Sequence, residues 1–170
     1  MINRYSLADH TVKITLPTDL YMGGTNLGGK VLTIGGPGQN GQDGSFVGSI
    51  GVGRTNDMWS TTGDPTGSWV HNKNLDRTGS VTLSIRQVSD DVIRLMMVSN
   101  VFEQDSDRNG KGCKIEVFSG ADVVARAEDC YITKIPDQNF GETAENQEWA
   151  WTAGRVTFPM QTNWPSEKLG

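Results

Sequence analysis

The sequence predicts an all-β-dominated fold, an antiparallel β-sandwich or barrel with one short flanking α-helix and a long extended hairpin. Three observations support this prediction. The chain of 170 residues has the size of one domain and can bury a hydrophobic core without disulfides. Its 21 glycines, 35% hydrophobic residues and mean hydropathy of -0.43 are typical of a soluble, turn-rich protein. Several short runs alternate apolar and polar residues, which is the period of a half-buried strand.

The first part of the chain combines strand-like runs with many turns. Residues 10–16 alternate and end at Pro17, which predicts the first strand. Residues 23–67 contain fourteen glycines in 45 positions, interrupted by β-like runs at 30–34 and 45–50. We therefore expect loops and hairpins here, with residues 23–44 forming a glycine-rich insertion or loop.

A polar hairpin is predicted over residues 54–74. Met58, Trp59 and Trp69 flank a Gly-Asp-Pro-Thr-Gly turn. A polar hairpin with large apolar side chains on its stems either packs on its own core or inserts into another surface. The sequence leaves both alternatives open.

One short helix is predicted over residues 89–102, where the period changes from two to helical. Ser89 is a suitable N-cap, and the two aspartates that follow complement the positive end of the helix. Val92, Leu95 and Met96 lie on the side that we expect to pack against the sheet.

The remaining runs predict strands. In the last of them the apolar positions change parity across Ala153 and Gly154, which indicates a bulge or kink at Gly154. The predicted strands are residues 80–86, 113–118, 122–127, 129–135 and 148–161.

Charge and composition exclude several functions. The net charge is -5, and residues 86–170 hold the whole excess, with nine basic and fourteen acidic side chains. A basic surface for gripping nucleic acid is therefore not expected. No apolar run is long enough for a membrane span, and the N-terminus has no export signal, so we expect no membrane anchor. Cys113 and Cys130 are expected to be reduced core thiols.

The search for catalytic groups returns no strong candidate. His10 and His71 are far apart, and residues 24–30, which resemble a phosphate loop, are followed by Val31 instead of the magnesium-binding Ser or Thr. We expect no cofactor and no enzymatic activity. A hydrolase stays a weaker alternative, in which a carboxylate of residues 137–148 would be essential.

A calcium-loop pattern is the sharpest motif. Asp105, Asp107, Asn109 and Glu116 supply oxygen at the required positions, with glycine at the sixth. Gly112 replaces the usual apolar residue, and Glu116 lies in an alternating run, so a polar turn is the favoured interpretation. The alternative function is a calcium-dependent β-sandwich binding module, with exposed tryptophans as sugar platforms.

Several short segments of the sequence, and their order, resemble tail tube proteins of contractile-tailed bacteriophages. The resemblance covers residues 45–165 and follows the order of a long hairpin, a strand, a short helix, a strand pair and a closing strand. The segments are Gly79-Ser80-Val81-Thr82-Leu83-Ser84-Ile85, Leu95-Met96-Met97, Lys114-Ile115-Glu116-Val117, Cys130-Tyr131-Ile132-Thr133-Lys134-Ile135-Pro136 and Val156-Thr157-Phe158-Pro159.

The resemblance implies a structural virion protein made in the host cytoplasm and built into the phage tail. Its subunits would close into homohexameric rings, and stacked rings would form the hollow tube for genome delivery. Implied partners are copies of the chain itself and the sheath, tape measure, baseplate and tail terminator proteins. DNA would only pass through the lumen, where acidic excess would avoid retarding it.

The resemblance also implies that the hairpin of residues 54–74 reaches the adjacent ring. The implied interface residues are Arg54, Met58, Trp59, Trp69 and His71. Residues 23–44 have no counterpart in the family.

Overall fold

The computed structural model describes residues 10–17, 21–22, 25–26, 29, 31–35, 47–86, 95–96, 112–119 and 122–159. Nearly all of these residues belong to antiparallel β-structure, which confirms the all-β prediction. The strands in this part of the chain are β1 His10–Thr15, β2 Tyr21–Met22, β3 Thr25–Asn26, β4 Val31–Gly35, β5 Val47–Arg54, β6 Trp59–Gly63, β7 Trp69–Lys73, β8 Gly79–Arg86, β9 Cys113–Ser119, β10 Asp122–Lys134 and β11 Asn146–Thr157.

Seven strands form one continuous sheet in the order β4-β1-β9-β10-β11-β8-β5. Every neighbouring pair in it is antiparallel. β4 and β5, which arise from the two predicted β-like runs of the glycine-rich region, are the edges of this sheet. β2–β3 and β6–β7 are separate two-stranded hairpins.

The hydrophobic core lies against one face of the sheet because the apolar residues keep a period of two. In β8, Val81, Leu83 and Ile85 are buried and Ser80 and Arg86 are exposed. β11 contributes the largest buried side chains, and the other buried residues of the sheet come from β1, β4, β8, β9 and β10. The core comprises Val12, Ile14, Leu16, Ile34, Val81, Leu83, Ile85, Leu95, Cys113, Ile115, Val117, Ala125, Ala127, Cys130, Trp149, Trp151, Ala153 and Val156.

The strand β10 corrects one prediction. Residues 122–127 and 129–135 were predicted as two strands, but they form one strand interrupted at Asp129, whose φ is 57°. The pairing with β9 shifts between Ala127 and Cys130 at this point. The Asp129 Oδ1 atom accepts a hydrogen bond from the Gly112 backbone N–H at 3.0 Å. The interruption is therefore a β-bulge, which bends the strand and increases its twist.

The change of parity in β11 is confirmed, but its cause differs from the prediction. Trp151 and Ala153 are buried on one parity and Val156 on the other. The pairing of β10 with β11 does not shift here, since Cys130 pairs with Ala153 and Ala127 with Val156. The buried positions therefore change parity in β10 and β11 together. The residue with the irregular backbone is Asp129 and not Gly154.

Only Leu95 and Met96 of the predicted helix are described, and both are helical. Leu95 is buried and Met96 packs against the core, in agreement with the predicted packing side. Val92 and the rest of residues 89–102 lie outside the described residues. In the part of the chain described here, no helix is long and apolar enough to cross a membrane.

Candidate interaction surface

The hairpin β6–β7 projects from the sheet as a continuation of β5 and β8. The main sheet ends where Arg54 pairs with Gly79, and the hairpin resumes pairing from Trp59 and Lys73 to Gly63 and Trp69. Every residue from 55 to 75 is exposed. The predicted long hairpin is thus confirmed. The hairpin does not pack on the hydrophobic core of the chain, so the first of the two alternatives, packing on that core, is wrong.

The tip of the hairpin is closed by its own polar groups. Asp64 donates its backbone N–H to the Ser68 carbonyl at 2.8 Å, and its own carbonyl accepts from the Gly67 N–H at 2.9 Å. Gly67 has a φ of +92°, which favours glycine. Asp64 Oδ1 accepts hydrogen bonds from the backbone N–H and hydroxyl of Thr66, and these bonds lower the pKa of the Asp64 carboxyl.

The hairpin has two chemically different faces, because successive side chains alternate. We call the face that carries Trp59, Thr61, Trp69, His71 and Lys73 the aromatic face. The Trp59 and Trp69 residues are 55% and 67% exposed. Lys73 Nζ lies 5.8 Å from the centroid of the Trp59 ring, and the Thr61 hydroxyl lies 2.9 Å from His71 Nδ1. The alternation of the two strands therefore places both tryptophan side chains on one side of the hairpin, and Lys73 contacts one of them.

The opposite face is smaller and mostly polar. It carries Ser60, Thr62, Val70 and Asn72, and the Asn72 Nδ2 group donates to the Thr62 hydroxyl at 3.1 Å. Val70 is its one large apolar residue. The two faces therefore offer different surfaces to a partner.

Arg54 fixes the base of the hairpin on the side of β5. Its Nε donates to the Val156 carbonyl at 3.0 Å, its Nη1 contacts Met58 Sδ at 3.2 Å, and its guanidinium lies 5.6 Å from the centre of the Phe158 ring. Among the predicted interface residues, Arg54 is therefore half-buried and holds the base of the hairpin. Met58, Trp59, Trp69 and His71 remain exposed beyond it.

Asp76 organises the base on the side of β8. Its carboxylate accepts from the Thr78 N–H at 2.9 Å and from Asn56 Nδ2 at 2.6 Å, and these bonds lower its pKa. The Asn74 side chain accepts the Asp76 N–H at 3.0 Å, and Arg77 Nη1 donates to the Asn74 carbonyl at 2.9 Å. The direction of the hairpin is therefore set by hydrogen bonds on both sides.

A further exposed aromatic residue lies in the loop between β10 and β11. Phe140 is 86% exposed, more than any other large hydrophobic residue that the structure describes. Residues 137–148 were considered only for their carboxylates, so Phe140 was not predicted as a site residue. The available signal was one aromatic side chain in an otherwise polar run.

The calcium hypothesis remains a prediction, because Asp105, Asp107 and Asn109 lie outside the described residues. Glu116 lies within β9, where its two oxygens contact Lys114 Nζ at 3.1 Å and Arg126 Nη2 at 3.5 Å. Its charge is therefore balanced by the chain's own cations. Within the described ranges, no group of three or more His, Cys, Asp or Glu side chains could hold a metal ion.

Cys113 and Cys130 pair directly across β9 and β10 and are buried, free thiols. Burial raises the pKa of Cys113 to about 12, with a further contribution from Cys130. Burial also raises the pKa of Cys130 to about 12. Thiols held in this state are poor nucleophiles, which agrees with the prediction of reduced core cysteines.

No protein-family model matches this chain, and no curated protein matches it. Among solved structures, it is similar to a chain in the cryo-EM structure of the anti-feeding prophage cap (AFP tube terminating cap). The two are 13% identical, with a TM-score of 0.47, over 95% of each chain.

Proposed function

We propose that this chain is a structural subunit of a phage-tail-like particle and assembles with copies of itself into stacked rings that form a hollow tail tube. The observation that carries this proposal is the projecting hairpin with its exposed aromatic face. The resemblance of residues 45–165 to tail tube proteins supports the same role.

The aromatic face is suited to a buried contact. The exposed parts of Trp59 and Trp69 amount to roughly 100–150 Å² each. Burying that area would contribute about 3 kcal/mol for each ring at about 25 cal/mol per Å². Association costs roughly 4–15 kcal/mol, so one hairpin alone gives a weak contact. Several hairpins acting together between two preformed rings would give a stable one.

The edges of the sheet support lateral association into such a ring. In the described part of the chain, β4 pairs only with β1, and β5 pairs only with β8. Open edges expose unpaired backbone groups and are a liability for a monomer. Pairing between neighbouring subunits in a closed ring would satisfy these groups.

A sedimentation-velocity experiment tests the role of the aromatic face. We expect the wild-type chain to form large, stacked species. We expect a Trp59→Ser/Trp69→Ser variant to stop at single rings or smaller, because its rings lose the apolar contact area. Far-UV circular dichroism should be unchanged, since both residues are exposed.

Val70→Ser is the matched control, because Val70 is on the opposite face of the same hairpin and is similarly exposed. This variant should sediment like the wild type. The proposal is contradicted if the tryptophan variant assembles as well as the wild type.

A further inference from the structure

The loop of residues 136–145, which we call the Phe140 loop, presents its aromatic residue from a well-anchored position. Lys134 Nζ contacts Asp137 Oδ1 at 3.3 Å at the beginning of the loop. The buried Gln147 side chain donates from Nε2 to Gln138 Oε1 at 2.9 Å. The beginning of the loop is therefore tied to both flanking strands, β10 and β11, and Phe140 is exposed beyond these contacts.

The Phe140 loop and the hairpin lie at opposite ends of the sheet. The hairpin joins β8 at Gly79, which pairs with Ala153 of β11. At the other end of β8, Arg86 pairs with Asn146, the first residue after the loop. The eight residues of β8 separate these ends by about 25 Å. A contact between the hairpin of one copy and the Phe140 loop of another would thus join opposite ends of the two subunits.

The two surfaces are complementary in charge. The Phe140 loop contains Asp137, Glu142 and Glu145 and no basic residue. The aromatic face carries Lys73 and His71 and no carboxylate. Opposite charges at the rim of an apolar contact favour the correct partner and orientation.

The aromatic face also has room for an inserted ring. Its middle is the pair of Thr61 and His71, and Gly63 lies at the tip, paired with Trp69. A side chain added at Gly63 would meet nothing within 4 Å. An aromatic group could therefore lie beside Trp69 over the open Gly63 position, and aromatic pairs contribute about 0.5–1.5 kcal/mol beyond their buried area.

We propose that the aromatic face of one subunit docks on the Phe140 loop of a second copy of this chain in the next ring. The proposal rests on the proposed function and names the acceptor of the hairpin. The contact is heterologous, and because it does not close on itself along the stacking direction, it repeats from ring to ring.

The test is a mixing experiment with two separately purified variants, Trp59→Ser/Trp69→Ser and Phe140→Ser. The first retains only the loop surface, and the second retains only the aromatic face. Each variant alone should fail to stack. Their mixture should form particles of two layers and no longer stacks, which mass photometry and negative-stain microscopy can count.

Val124→Ser is the control, since Val124 is an exposed apolar residue of β10 outside both surfaces. It should stack like the wild type. The proposal is overturned if Phe140→Ser stacks normally, or if the mixture contains nothing larger than either variant alone. The first result would point to contact between hairpins. Failure of the wild type itself to assemble would instead refute the proposed function.

Discussion

Gly79 marks the point at which the hairpin leaves the sheet, and it has no room for a side chain. A Cβ atom there would lie 2.6 Å from Val156 Cγ2 and would collide with the backbone carbonyl oxygen of Gly53. Gly53 of β5, which pairs with the next residue Ser80, has nothing within 4 Å of its own Cβ position. The close approach of β5, β8 and β11 therefore requires glycine at position 79 of β8 but not at position 53 of β5.

Gly79→Ala is expected to lower the free energy of unfolding by roughly 1–3 kcal/mol, because the backbone must move to admit the methyl group. Gly53→Ala should change it by less than about 1 kcal/mol. Urea denaturation of both variants measures the difference. Equal midpoints for the two variants would show that the strands are not packed as described.

The pH dependence of stability tests the buried thiols. Cys113 and Cys130 titrate at about 12 in the folded chain, against an ordinary value of 9.0. Above pH 9 the unfolded chain releases protons that the folded chain keeps. The thiol contribution is therefore complete below pH 9 and is lost as the pH rises towards 12, by at most about 1.4 kcal/mol per pH unit for each thiol.

Urea midpoints at pH 8, 9 and 10 measure this loss. A Cys113→Ala/Cys130→Ala variant, compared with its own stability at pH 8, should lose less between pH 9 and 10 than the wild type does. The assignment of raised thiol pKa values would fail if the two proteins showed the same slope.

At the scale of elements, local pattern predicted most of the strands, and pairing explains the exceptions. β1, β8 and β9 alternate strictly and lie where the alternation indicates. The break in β10 could not be interpreted from sequence, because an acidic pair at residues 128–129 is typical of a turn. The same pair is a bulge here because β9 and β11 continue on both sides of it.

The projection of the hairpin from the sheet is the other feature that could not be predicted from the sequence. Its turn and its apolar stems were evident in the sequence, but its projection depends on what the rest of the chain leaves uncovered. Residues 55–75 make no contribution to the buried core. We therefore infer that the hairpin serves an external contact and not the stability of the sheet.

Replacing residues 59–73 with Asn-Gly tests this inference. The Asn74 N–H donates to the Met58 carbonyl at 2.8 Å, so these two residues can flank a two-residue turn. The free energy of unfolding should change by about 0.5 kcal/mol or less, while stacking should be lost. A large fall in the urea midpoint would show that the hairpin supports the fold.

At the scale of the whole molecule, strand order determines which surfaces can meet. The hairpin and the Phe140 loop are far apart in sequence and lie at opposite ends of β8 and β11. Sequence reasoning missed Phe140 as a site residue because its importance depends on this non-local placement. The edge positions of β4 and β5 follow from the same strand order, and the proposed lateral pairing would occur there.

The most direct test of the central claim is negative-stain electron microscopy of the purified wild-type chain, with size-exclusion chromatography of the same sample with and without calcium. Assembly into a tail tube predicts stacked rings or hollow tubes of uniform width, unaffected by calcium. A monodisperse monomer would contradict it, and a monomer stabilised by calcium would favour the binding module instead.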